Sequence, residues 1–387
     1  MRILYHHRTR AGDAQGIHIE EMIRAFRELG NEVEVVALSG EGDRRSHRGE
    51  SSWPARILKS APSWLYEVMS LGYNVYGYVM LRRRARAFRP DVLYERYSLN
   101  TFCGIWMGLR TGLPVILEVN APLAQEQEQL GKLAFRRLAR FSERWICANS
   151  TWTIVVSDVL KELLAAEGVP RKRMVVVTNG VDPRRFRPDV SDRAIRVKHG
   201  LDGKLVIGFV GWFRKWHGLE LLLDIFHAAN LADRRVHLLL VGDGPARADL
   251  ERFVVTNALG RHVVFSGPVR HEEIPEYVAA MDVAVQPSAP EYACPMKIVE
   301  YMAMGRCVVA PDQPNIREVI DDGRNGLLFS PGDKKELKTV LLRAIGDDAR
   351  RQALGKNALE TVFSRGFLWS MNAQRAVSLA RQAGPSR

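Results

Sequence analysis

Alternation constrains this chain more than any other feature. Short apolar runs, the pattern of buried strands, give way repeatedly to stretches with apolar residues at helical spacing. MRILYHH reads as a first strand. After the loop RTRAGDAQG, the segment IHIEEMIRAFRELG puts Ile19, Met22, Ile23, Phe26 and Leu29 on one helix face, and NEVEVVAL returns as a second strand. Strand, glycine-containing loop, helix and strand in that order predict a parallel βαβ unit, in which ligands sit beyond the carboxyl ends of the strands. The loop lacks a complete GxGxxG. Gly12 and Gly16 would let a substrate approach the backbone, but glycines in a polar loop also serve as plain turn residues.

The pattern continues through PDVLYERYS and LPVILEVNAP, two further strands whose ends carry Glu95 and Arg96, then Glu118 and Asn120. Glu118 at a strand end reads either as a ligand-facing group or as a structural carboxylate paired with a neighbouring arginine. TWTIVVS and MVVVTNGVDPRRFRP close this half, and the alternation starts again with KLVIGFVGWF, GLELLLDIFHAAN and VHLLLVGDGP. At 387 residues the chain is too long for one typical core. The expected architecture is α/β, with two Rossmann-like domains over residues 1–182 and 183–366 and a terminal helix within 367–387 that rejoins the first. The cleft between the domains is the expected active site.

A net charge of +12 predicts attraction to polyanions, whether nucleic acid, an anionic membrane surface or phosphorylated substrates. No RNA-binding signature accompanies it, and the basic residues are dispersed, so nucleic acid is not expected as a partner. The four cysteines are widely spaced without a CxxC pair, which argues against a zinc site or a disulfide framework and fits a reducing cytoplasm. The start, MRILYHHRTR, lacks the apolar core of a secretory signal. Trp64 to Leu81 is largely apolar, but Glu67, Asn74 and two glycines weaken a membrane-spanning reading, and helices of the first domain are expected. The aromatic and basic residues from Trp53 to Arg89 suit peripheral contact with an anionic membrane, or else a core helix ending in a solvated basic turn.

The stretch from Glu291 to Gly305, EYACPMKIVEYMAMG, carries the sharpest chemistry. A loop runs into a short amphipathic helix. Pro295 suits its first turn, Gly305 suits the left-handed position beyond its end, and Glu300 is its single carboxylate. Unpaired N–H groups and the positive pole at such a helix start favour a phosphate. The alternative is an ordinary packing helix with a solvated Glu300.

FVGWFRKWHG, VGDGP, SGPV, PMKIVEYMAMGRCVVAP and DGRNGLLFSPGD stand in the order and spacing of glycosyltransferase family 4, and the chain resembles a retaining enzyme of GT-B fold. The resemblance extends to the first strand and helix and to TNGVD with Phe186. It implies no cofactor. A nucleotide-diphosphate sugar would be held by the second domain as co-substrate, and a glycan or lipid-linked acceptor by the first. Glu300 would bind the ribose hydroxyls, since a carboxylate can accept from both hydroxyls of a diol. Pro295, Met296 and Ile298 would lie at the diphosphate. Gly211, Asp243, Gly244 and Val269 would line the donor site, and Gly12, Gly16, His18 and Asn120 the acceptor side.

Three departures from the family pattern matter. The family's two glutamates are separated by seven residues, whereas here that first place holds Tyr292, and Glu291 is one position further away. Glu291 is expected to reach the donor sugar through a longer loop. The family's arginine and lysine for the diphosphate are replaced by Trp212 and His217. No metal-binding DxD motif occurs, so the leaving group's charge would fall to Arg214, Lys215, Lys297 or an imidazolium at His217. A family histidine near the reacting sugar is also missing, leaving Glu118 or Asn120 in its place. Rival readings are a GT-B sugar-nucleotide epimerase and a non-catalytic nucleotide-sugar-binding protein.

Overall fold

The computed structural model describes residues 1–9, 14–37, 63–232 and 235–384. Gly12, the polar stretch from Gly40 to Glu50 and residues 53–62 lie outside them. The chain divides into two compact units, Met1–Thr178 with Trp369–Arg387, and Asn179–Leu368.

In the first unit the order is β1 (Arg2–His7), α1 (Ala14–Glu28), β2 (Glu32–Ala37), α2 (Ser63–Phe88), β3 (Val92–Arg96), α3 (Cys103–Thr111), β4 (Val115–Val119), α4 (Leu123–Gln129), α5 (Arg136–Asn149), β5 (Trp152–Val155), α6 (Asp158–Ala166) and β6 (Met174–Val176). Its strands form one parallel sheet ordered β2-β1-β3-β4-β5-β6. β3 and β4 are buried along their whole length, so they read as continuous apolar runs rather than alternating ones. The charged stretch after β4 divides into α4 and α5, with Gly131 left-handed in the break.

The second unit runs α7 (Arg193–His199), β7 (Leu205–Val210), α8 (Leu219–Ala228), β8 (Val236–Val241), α9 (Arg247–Thr256), β9 (Val263–Gly267), α10 (Ile274–Ala279), β10 (Val283–Val285), α11 (Met296–Ala303), β11 (Cys307–Pro311), α12 (Pro314–Arg317), β12 (Leu327–Phe329), α13 (Lys334–Gly346) and α14 (Asp348–Ser364). Its parallel sheet is ordered β12-β11-β10-β7-β8-β9. The core is made by Ile207, Phe209, Leu222, Phe226, Leu238, Val285 and Phe329 with their neighbours. α12 is a single short turn of helix, after which the chain turns to deliver β12. The last helix, α15 (Trp369–Gln382), packs on α1 and belongs to the first unit.

Strand order reverses between β1 and β3 in the first sheet and between β7 and β10 in the second. At each reversal the loops leaving the two strands diverge to opposite faces, which opens a crevice at the carboxyl ends. The chemistry-bearing residues of each unit gather there.

Candidate functional site

In the second unit, three glycine turns follow β7, β8 and β9 and lie backbone against backbone. Gly211 N–H donates to the Val241 carbonyl at 2.9 Å, Phe213 N–H to Asp243 O at 2.6 Å, and Gly242 N–H to Gly267 O at 3.1 Å. A Cβ at Gly242 would sit 2.1 Å from the Gly211 carbonyl oxygen, and its φ of +127° is closed to other residues. Only glycine allows this approach, which fixes the floor of the crevice. Asp243 turns back on its own loop, accepting from Gly244 N–H at 2.8 Å and facing Arg247 at 3.7 Å. Val269 follows the Gly267 turn and is half-buried.

Helix α11 is locked onto the end of β7, where Val210 N–H donates to the Tyr301 hydroxyl at 2.8 Å. Pro295 is its N-cap residue, just outside the first turn, and no side chain caps the helix. Ile298 is wholly buried and its N–H donates to the Pro295 carbonyl at 3.1 Å. The N–H groups of Met296 and Lys297 therefore stand at the open positive pole.

The loop leading to α11 is braced by four buried or nearly buried amide side chains. Asn179 donates to the Cys294 carbonyl at 2.6 Å, Asn315 to Pro290 O at 2.9 Å and to Ala293 O at 2.6 Å, Gln313 to Ala289 O at 3.1 Å, and Gln286 to Ser288 O. Glu291 and Tyr292 form the turn in the middle, closed by Ala293 N–H to Pro290 O at 3.1 Å, with Glu291 exposed.

Lys297 lies across the glycine floor. Its Nζ is 4.2 Å from the centre of the Phe209 ring and 3.3 Å from His217 Nε2, and a Cβ on Gly211 would meet it at 2.7 Å. Burial pushes its ammonium down to about 7, opposed by the carboxylate of Glu300 one turn on. The imidazolium expected at His217 does not form. Burial first, then the Lys297 and Arg214 cations, hold its pKa down to about 2, so a protonated Lys297 donates to a neutral Nε2. Arg214 and Lys215 are exposed at the turn between β7 and α8, flanked by Trp212 and Trp216, each about half exposed.

In the first unit, two of the predicted acceptor-side residues, His18 and Asn120, meet Glu118 at the end of β4. Arg96 donates to its carboxylate at 2.6 Å, Tyr94 at 2.7 Å and Asn120 at 2.5 Å, with His18 Nδ1 at 3.4 Å. Burial drives the carboxyl up, but His18, Arg96 and the bonds from Asn120 and Tyr94 outweigh it and keep it below the ordinary carboxylate range. The arginine pairing open to Glu118 in the sequence is thus present. Gly16 is buried near the start of α1, two residues before His18, whose ring Trp369 of α15 meets edge-on at 4.8 Å. Arg96, one of the strand-end residues, joins this cluster because the end of β3 lies beside the end of β4.

One further cluster lies in the same sheet. The ligand-type atoms of His6, Glu95 and Cys103 come within 4.8 Å of one another, the only such group of three among the described residues. His6 bonds Glu95 at 2.7 Å and the Tyr73 hydroxyl at 3.1 Å, and burial, then the charge of Glu95, pushes the Cys103 thiol far up.

Two family models match the chain, Glycosyltransferase Family 4 over residues 15–185 and Glycosyl transferases group 1 over residues 204–347. A GDP-mannose-dependent alpha-mannosyltransferase of Mycobacterium tuberculosis is 28% identical, with 88% of each chain covered. A 2-deoxystreptamine glucosyltransferase of Streptomyces kanamyceticus is also 28% identical, covering 86% of this chain and 90% of that one. Among solved structures, Anabaena HepE in complex with UDP aligns with a TM-score of 0.77 at 20% identity over 99% of this chain and 100% of that one. The two doubly wound parallel sheets are those of the two-domain GT-B fold. The chain belongs to the group 1, family 4 glycosyltransferases, and it is an enzyme of that class.

Proposed function

We propose that this glycosyltransferase moves a sugar, with retention at the anomeric carbon, from a nucleotide-diphosphate sugar held by the second unit to a glycan or lipid-linked acceptor held by the first. The observation that carries this reading is the uncapped start of α11, with Lys297 half-buried against the glycine floor and Glu300 one turn on. The HepE structure contains UDP, and the mycobacterial relative is named for GDP-mannose; both fit a nucleotide-diphosphate sugar.

As the bond between the anomeric carbon and the diphosphate oxygen breaks, negative charge grows on the leaving group. The N–H groups of Met296 and Lys297, the Lys297 ammonium and the exposed Arg214 would receive it, supplying from the chain itself what a metal supplies elsewhere. Glu300 would take the ribose hydroxyls and Glu291 those of the donor sugar. The leaving phosphate oxygen, on the face where the acceptor enters, would accept the acceptor's proton. Glu118 already has four partners, which suits a positioning role through Asn120 and His18. The reaction would take place in the cytoplasm, with peripheral contact at an anionic membrane face.

A panel of nucleotide sugars, scored for thermal stabilisation and slow donor hydrolysis, tests the reading. At least one donor should raise Tm and be hydrolysed, and Glu300→Ala should lose both. Stabilisation by no nucleotide or sugar nucleotide would sink it, and recovery of an epimerised nucleotide sugar in place of a transferred product would replace it.

A further inference from the structure

Helix α2 is turned inside out. The face it buries carries Glu67, Ser70 and Asn74 beside Tyr73, Gly77 and Leu81, while Trp64, Val68, Met69, Val75, Tyr76 and Val79 point outward with 47% to 65% of their surface exposed. Buried Asn74 explains part of the inversion. Its amide donates to the Asn100 carbonyl at 2.8 Å and its oxygen accepts from Phe102 and Cys103 N–H at 2.6 and 2.9 Å, which caps the start of α3. Among the described residues nothing comparable calls for the apolar outer face.

That face has a definite pattern. With about 3.6 residues per turn, Trp64, Val68, Val75 and Val79 fall along one line, and the line runs on into Arg82 and Arg86. Both arginines are exposed, as is Arg83 beside them. The Glu67 carboxylate accepts from Ala134 N–H at 2.6 Å and Phe135 N–H at 3.3 Å, drawing the start of α5 against α2. There Leu130, Phe135, Leu138 and Phe141 are also exposed, among Lys132, Arg137 and Arg144. More than half of the exposed large apolar side chains among the described residues belong to these two stretches.

We infer that this face docks on an anionic lipid bilayer. The aromatic and aliphatic side chains would enter the boundary between headgroups and acyl chains, while Arg82, Arg83 and Arg86 lie over headgroup phosphates. Charge complementarity selects this occupant. The centre of a protein interface is depleted of charge, whereas a stripe that passes from Trp and Val into Arg matches an interface apolar below and anionic above. The helix lies on the bilayer rather than in it, since no described helix is long and apolar enough to cross a membrane. The inference deepens the lipid-linked acceptor reading and rests on it only for the reason an enzyme would be held there.

The test is co-flotation of the full chain with vesicles of phosphatidylglycerol and phosphatidylethanolamine, against phosphatidylcholine alone, at low and high salt. The chain should float with the anionic vesicles at low salt, and binding should fall roughly tenfold or more at high salt. The double variant V75E/Y76E and the triple variant R82E/R83E/R86E should each lose binding at least tenfold while keeping Tm and donor stabilisation. Undiminished binding by both variants, or no binding to anionic vesicles at low salt, overturns the inference. So does a dimer in solution that V75E/Y76E dissociates, because the face would then belong to a second copy. Lys297→Met separates the two readings: it should weaken donor binding roughly 10- to 100-fold and leave flotation unchanged.

Discussion

Glu118 and Lys297 are both charges withdrawn from water at the carboxyl edge of a parallel sheet, and they are treated in opposite ways. Glu118 is nearly fully buried and has Arg96, Tyr94, Asn120 and His18 around it, so its charge is held below the ordinary carboxylate range. Lys297 has a neutral His217 and an aromatic ring, and burial has weakened its hold on its proton. One cluster is complete in itself. The other has only the Glu300 carboxylate one turn on to offset burial, so the donor diphosphate of the proposed function would stabilise its charge, as for a binding group set at some cost to the fold.

The comparison can be broken by truncating each charge. Glu118→Ala leaves Arg96 buried without its partner and should cost about 3–5 kcal/mol of stability, the range for breaking a buried ion pair. Denaturant unfolding measures it, and a loss under about 1 kcal/mol would mean that water replaces the carboxylate. Lys297→Met should leave stability unchanged or raise it, while weakening donor binding by roughly 10- to 100-fold, as expected for a hydrogen bond to a charged group. The pH dependence sharpens this. Donor affinity should be highest below about 7 and fall above it as Lys297 loses its proton, whereas the free protein should gain stability as pH rises through the same value. Calorimetric titration across that range should show both slopes vanish in Lys297→Met.

Glu143 gives a milder case between the two. It is a buried carboxyl that accepts from the Tyr97 hydroxyl at 2.9 Å and from Ala124 N–H at 3.1 Å, and burial pushes it up to about 7. The fold favours its protonated form, so that contribution is full below the ordinary carboxylate value and is lost as pH rises through about 7. Glu143→Gln should therefore stabilise the protein by roughly 3 kcal/mol at pH 8 relative to its effect at pH 4, read from urea midpoints at the two values.

Strand and helix alternation was legible because each buried parallel strand is a short apolar run, and VVFSGPV or CVVAP can hardly be read otherwise. The start of α11 was legible for the same local reason, since a proline, a helical period and a following glycine are all neighbours in sequence. Pairings across the fold were not. His217 and Lys297 stand 80 residues apart, and their contact depends on how the β7 loop meets α11, so the neutral imidazole could not be foreseen. The same holds for Arg96, which becomes the partner of Glu118 only through the register of β3 against β4. In α2 the sequence left a membrane-facing helix and a core helix both open, because only the tertiary partners of Glu67 and Asn74 turn the polar residues inward.

The braces on the loop before α11 decide where that loop can evolve. Side-chain amides fasten Ser288, Ala289, Pro290, Ala293 and Cys294, and they pass over Glu291 and Tyr292. A residue inserted at any fastened position would shift the helix start and the cation it carries. One inserted at the tip only enlarges the turn. If Glu291 takes the donor sugar as proposed, its one-residue displacement falls where the amide braces leave off, so sugar preference could change there while the helix start proposed for the phosphate stays in place.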